Sequence, residues 1–251
     1  MAGIHFARLA TTVKSLRDCF TSIRAYCSMK YVALSALLMV PVMALGDSTC
    51  YGTTSSGRLE DSCKLPSSGA NFSSYSHILR LAGRTYVHCR VQQVLLSAYE
   101  SLQASAPDSV YVYGETGKRQ GGAFPPHKTH QNGLSVDFMI PVMNSNGRSV
   151  PLPTHILNKY GYDIDFTLDG NYEDLRIDYE SFAAHLVALQ AAAESAGVGI
   201  WRVLFDPKMQ GALRDTDVWS QISSLNFSKK RSWVRHDDHY HVDFEIPCEP
   251  L

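Results

Sequence analysis

Five of the ten histidines fall in two short segments: His127 and His130, then His236, His239 and His241. The first segment reads P-H-K-T-H-Q-N-G-L-S-V-D, with six residues between His130 and Asp137; the second reads H-D-D-H-Y-H-V-D-F. Imidazole nitrogens and a carboxylate are the donors a catalytic zinc takes, at about 2.0–2.2 Å, with three protein ligands and a fourth position open. A lone H-x-H on a strand is more often a pair of solvated histidines, and H-x(6)-D recurs by chance. Here both pieces occur in one chain, with spare histidines beside them, and that coincidence points to a catalytic metal site. His127 alone reads as a loop residue, and His155 and His185 as structural or surface positions. The chain has no H-E-x-x-H helix, no G-x-S-x-G elbow and no glycine-rich phosphate loop.

The elements that must position these residues follow from periodicity. Leu134, Val136, Phe138 and Ile140 alternate with Ser135, Asp137 and Met139, which predicts a strand with one buried face. In the closing strand, 240–246, Tyr240, Val242, Phe244 and Ile246 would face the core, so His239, His241 and Asp243 share the other face. Residues two apart on a strand are roughly 6.5–7 Å apart at Cα. One imidazole can then bind the metal while its neighbour reaches a water beside it. His130 sits on a Gly- and Pro-rich loop, 114–130, and can fold back beside Asp137. Amphipathic helices are expected at 89–104 and 179–196, the second stopped by Gly197. A short strand is expected at 110–113, a buried strand at 200–205 and helical pieces within 207–226. Residues 47–74 read as an irregular arm held by a disulfide, and 141–178 as turns with a hairpin around Asp169-Gly170. This order predicts an α+β fold, a mainly antiparallel sheet with flanking helices.

The N-terminus reads differently from the rest. Residues 1–46 hold Arg8, Lys14, Arg17, Arg24 and Lys30 but only Asp18, then the uncharged run 31–45 and small residues at Ala44-Leu45-Gly46. That predicts a secretory signal peptide, with Met29 as an alternative start and a membrane anchor that is never cleaved as the competing reading. Its removal leaves a 47–251 domain with 18 of the 23 basic and 23 of the 24 acidic residues, a formal charge of −5. A nucleic-acid partner would call for a basic face, and no later stretch is apolar enough to span a membrane. Four cysteines remain, Cys50, Cys63, Cys89 and Cys248, enough for two disulfides with three possible pairings. Joining Cys63 to Cys248 would pin the arm to the end of the last strand and leave Cys50 with Cys89.

H-x(6)-D followed far downstream by H-x-H resembles the superfamily of lysostaphin-type peptidases, D-Ala-D-Ala peptidases and hedgehog domains. Within it the longer match is to the penicillin-insensitive murein endopeptidases. Gly121-Gly122 with His127-x-x-His130-Gln131-x-Gly133-Leu134-x-Val136-Asp137 resembles that family's first metal segment. Trp201-Arg202-Val203-Leu204-Phe205-Asp206-Pro207 resembles the strand before its second segment, and Trp233-x-x-His236-x-x-His239-Tyr240-His241-Val242 that segment itself. The resemblance implies a hedgehog/D-Ala-D-Ala-peptidase-like fold and one zinc ion held by His130, Asp137 and His241. His239 would be the base, with His236 and His127 as further catalytic histidines. The implied activity is a periplasmic DD-endopeptidase cutting D-alanyl–meso-diaminopimelate cross-links of peptidoglycan. The rivals are a zinc D,D- or L,D-carboxypeptidase and a non-catalytic, zinc-stabilised wall-binding module. Two departures stand out: Asp243 occupies a position where a basic residue is expected, and 144–178 has no counterpart.

Overall fold

The computed structural model describes residues 48–232 and 234–251. The signal segment therefore lies outside the described residues. The fold is α+β. Its main sheet has five strands in the spatial order Gly199–Leu204, His239–Glu245, Ser135–Met139, Tyr111–Tyr113 and Phe72–Ser74, all antiparallel neighbours except the last pair.

Register in this sheet decides the site. His241 lies opposite Asp137, Asp243 opposite Ser135, and Tyr240 opposite Phe138. Directly opposed side chains on an antiparallel pair have Cβ atoms about 4.5–5.5 Å apart, so the pairing itself brings an imidazole onto a carboxylate. A slip of one residue in either strand would turn that strand's site residue to the wrong face. The apolar set Tyr240, Val242 and Phe244 is buried on the helix side, where Phe182 meets the Tyr240 ring at 4.3 Å and His185 the Phe138 ring at 4.8 Å.

That side is covered by two helices, Cys89–Ser105 and Tyr179–Ser195. Val91, Leu95, Ala98 and Leu102 on the first, and Phe182, Leu186, Leu189 and Ala193 on the second, are buried as their 3.6-residue spacing requires. Asp178 caps the second helix, accepting from the Ser181 amide at 3.0 Å, and Gly197 (φ +62°) ends it in the left-handed conformation open to glycine. The two short helices Gln210–Arg214 and Trp219–Ile222 fall within the predicted helical pieces.

Four expectations are corrected. The disulfides are Cys50–Cys248 and Cys63–Cys89, rather than Cys63–Cys248 with Cys50–Cys89. The C-terminal segment runs beside the first strand, with Gly52 N–H on Glu249 O and Glu249 N–H on Cys50 O, which sets Cys248 against Cys50. Cys63–Lys64 pairs with Tyr86–Val87 just before the helix that starts at Cys89. The arm is not irregular: Thr49–Thr53 and Ser56–Glu60 form a hairpin in which Gly57 and Leu59 turn inward. Asp169-Gly170 makes a tight turn, and the hairpin closes later, between Asn171–Tyr172 and Leu175–Ile177. The strand Gly199–Leu204 is a half-buried edge of the main sheet with Trp201 exposed, because its outer side meets only the short parallel bridge of Val203 to Phe227 among the described residues.

Residues 142–177 build a second, four-stranded sheet and the 3-10 segment Ile156–Gly161. Within that segment Lys159 (φ +50°) and Tyr160 (φ +60°) are both left-handed, a conformation costing a non-glycine residue about 1–2 kcal/mol. The Asn158 side chain holds the turn by accepting from the His155 and Gly161 amides and donating to Pro153 O.

Candidate metal centre

On the sheet face opposite the helices, Asp137 is the centre of a buried polar cluster. Its Oδ1 lies 2.8 Å from His241 Nδ1 and 3.3 Å from His130 Nε2. The outer nitrogens of both rings are committed elsewhere. His130 Nδ1 meets the Thr116 carbonyl at 3.2 Å, and His241 Nε2 meets Asp243 Oδ1 at 2.8 Å. A carbonyl can only accept, so His130 carries its proton on Nδ1 and presents a lone pair at Nε2. That Nε2 is buried and has no hydrogen-bond partner among the described residues. Leaving such an atom unsatisfied is costly unless something else meets it.

The ionisation states agree with this arrangement. Burial lowers the His130 pKa below its ordinary value, so the ring is neutral. Burial would raise Asp137, but the surrounding histidines outweigh it and hold the carboxyl well below the usual range. Burial also disfavours charge on His241, yet the carboxylates of Asp243 and Asp137 push its pKa up to about 10. His241 thus donates from both nitrogens, Nδ1 to Asp137 and Nε2 to Asp243. Among the described residues, the group whose ligand atoms all lie within 4.8 Å of one another is His127, His130 and Asp137, which shares two of the three expected ligands and has His127 where His241 was expected.

The other histidines surround this centre. His239 Nδ1 is 2.5 Å from Asp238 Oδ1, which leaves Nε2 for the cavity. Burial opposes its charge, but Asp238 and Asp137 outweigh it and raise its pKa. His236 packs 4.8 Å from His239, with Nδ1 3.0 Å from Val234 O. Burial, helped by the two neighbouring histidines, drives its pKa down to about 3. His127 Nε2 is 2.6 Å from Glu115 Oε2 and its Nδ1 is 3.9 Å from Asp137 Oδ2. All six expected site residues are therefore brought together, while His185 lies in the core beneath Tyr240 and His155 caps the 3-10 segment.

Sequence reasoning missed four groups here. Glu115 is buried, takes a bidentate ion pair from Arg84 and a hydrogen bond from Tyr75, and anchors His127. Tyr162 donates to Asp137 Oδ2 at 3.0 Å. Asp238 orients His239, and its place next to that histidine was the one available signal. Arg202 reaches across the strand pair to Asp243, with Nε 2.5 Å from Oδ2. The departure at Asp243 thus has a physical account: the cation stands on the neighbouring strand, and the carboxylate faces His241.

A cavity of about 490 Å³ opens on the cluster. Pro126, Lys128 and Thr129 of the 114–130 loop line it from one direction, and Lys159, Tyr160 and Tyr162 from another. The model of the penicillin-insensitive murein endopeptidase family matches residues 50–250, which span both histidine segments and the whole main sheet. The chain belongs to that family. Comparison with curated proteins finds no match. Among the described residues no helix is long and apolar enough to cross a membrane.

Proposed function

We propose that this protein is an exported zinc DD-endopeptidase that hydrolyses D-alanyl–meso-diaminopimelate cross-links of peptidoglycan and is insensitive to penicillin. The observation that carries the reading is the convergence of His130 Nε2 and His241 Nδ1 on one oxygen of Asp137, with each outer nitrogen held by an acceptor. Histidines that bind zinc characteristically donate their second N–H to a carbonyl or carboxylate. His130, Asp137 and His241 are the proposed ligands. His127 is the weaker candidate, because its Nε2 is spent on Glu115 and its Nδ1 faces the other oxygen of Asp137 at 3.9 Å. Export by the 1–46 signal to the periplasm is part of the proposal.

Bound zinc would supply Lewis acidity, polarising the scissile carbonyl and easing deprotonation of water. His239 takes the proton from the attacking water and returns it to the leaving amine. Asp238 on Nδ1 makes the ring more basic and fixes its tautomer. His236, neutral and donating from Nδ1 to Val234 O, offers Nε2 as an acceptor, which suits a substrate amide N–H better than an oxyanion. No serine acylation occurs, so a β-lactam has no nucleophile to trap.

The test is digestion of purified cross-linked muropeptide dimers. Conversion to monomers, stopped by a chelator and unaffected by penicillin, is the expected result. Release of free D-alanine from monomers with dimers left intact would replace the endopeptidase by a carboxypeptidase. Zinc binding without hydrolysis of either would leave a wall-binding module.

A further inference from the structure

We propose that Tyr162 is a positioning residue of the metal centre, holding Asp137 so that a single carboxylate oxygen faces the two imidazoles; this rests on the zinc reading above. The hydroxyl donates to Asp137 Oδ2 at 3.0 Å and accepts from the Glu115 backbone N–H at 2.8 Å. That amide occupies an acceptor side of the hydroxyl and directs its single proton at the carboxylate. Oδ1, the oxygen left over, is the one that meets His130 Nε2 and His241 Nδ1. A carboxylate free at both oxygens can turn or chelate with both; one whose second oxygen is tied cannot do either without breaking that bond.

The surroundings of Tyr162 are built around this contact. Its ring stands edge-on to His239 at 4.7 Å and to His127 at 5.7 Å, so it also spaces the two flanking histidines. Gly114 has no side chain where Tyr162 arrives: a Cβ there would sit 2.4 Å from the Tyr162 hydroxyl and 3.1 Å from the Asp137 Cβ. The approach runs through two consecutive left-handed residues, Lys159 and Tyr160, held by the Asn158 bonds. Arg235 and Asp237 tie the same stretch down, the latter accepting from the Phe166 N–H at 2.8 Å. Residues 144–178, for which the sequence reading placed no counterpart although the family match runs through them, thereby deliver a hydroxyl to the centre of the site.

Tyr162→Phe removes only the oxygen and keeps the ring contacts. Partners that hold a ligand in place typically change metal affinity about 10–100-fold when lost. Zinc affinity is measured by competition with a chromophoric chelator, and ligand geometry by the visible spectrum of the cobalt-substituted protein. The proposal requires zinc affinity roughly 10–100-fold weaker in Tyr162→Phe and a cobalt spectrum altered in intensity, with far-UV circular dichroism unchanged. A variant matching the wild type in both affinity and cobalt spectrum overturns the role of Tyr162 and leaves the zinc site standing. A wild-type protein that takes up neither zinc nor cobalt overturns the zinc reading and this inference with it.

Discussion

Asp243→Asn is the substitution that most sharply separates the support of His241 from simple burial. The Asp243 carboxylate is fully buried and serves three donors: Ser135 Oγ at 2.5 Å, His241 Nε2 at 2.8 Å and Arg202 Nε at 2.5 Å. An asparagine of the same shape cannot accept from all three. With its oxygen toward His241 and Ser135, its NH2 meets the Arg202 N–H, donor against donor. Flipped, the NH2 meets His241 Nε2–H, and the ring must carry its proton on Nδ1, the nitrogen that faces Asp137. Stranding one partner of a buried ion pair costs about 3–5 kcal/mol. The Arg202 side chain is 29% exposed and keeps part of its hydration, so the lower figure of about 3 kcal/mol applies. For a domain of this size that corresponds to a fall of about 6–12 °C in Tm of the metal-free protein. Zinc affinity should fall about 10–100-fold as well, because in either orientation His241 loses the carboxylate that holds the proton on Nε2 and makes the ring a better donor to a metal. Thermal melts of metal-free protein and chelator competition measure the two effects separately. A variant with lowered Tm and undiminished zinc affinity would refute the argument that Asp243 orients His241.

Glu115 should contribute to the acid limb of stability alongside Asp137 and Asp243, whose carboxyls are also held down. Burial would raise its pKa, but hydrogen bonds from His127 and Arg84 outweigh burial and hold it down at about 2. A folded pKa below the unfolded one stabilises at higher pH, so this contribution is present above about 4.5, amounts to about 3 kcal/mol, and is lost as pH falls toward 2. The stability gap between wild type and Glu115→Gln should narrow over that window; a gap independent of pH would contradict this account. The chain-entropy model gives about 5 kcal/mol for Cys50–Cys248, with its sequence separation of 198, and about 3.5 kcal/mol for Cys63–Cys89, with its separation of 26. Paired Cys→Ala variants compared by urea denaturation should rank in that order, and the reverse order would show strain or residual structure in control. His239→Ala should lower turnover by about 10²–10⁴ while keeping its zinc, whereas loss of zinc would make His239 a ligand.

The parts of this fold that were legible in the sequence are those where one face repeats. Val91 to Leu102, Phe182 to Ala193 and the alternation around Asp137 and His241 each carry a period long enough to read, and the last two set the register of the site. What was hidden depends on pairings with no period. Two-residue strands such as Cys63–Lys64 and Tyr86–Val87 leave no pattern, yet they decide that Cys63 meets Cys89. Tyr162 lies 25 residues beyond Asp137, past two strands of the small sheet and a turn held by side-chain bonds, and only the folded backbone brings the hydroxyl to the carboxylate. Arg202 and Asp243 are cross-strand partners, and neither charge alone discloses the other.

Elemental analysis of purified protein tests the identity of the metal ligands most directly. The wild type should carry one zinc per chain. His130→Ala, Asp137→Ala and His241→Ala should each lose it, and His127→Ala should keep it. Stoichiometric zinc in His241→Ala, together with its loss from His127→Ala, would contradict the account and move the ion to the His127, His130 and Asp137 set.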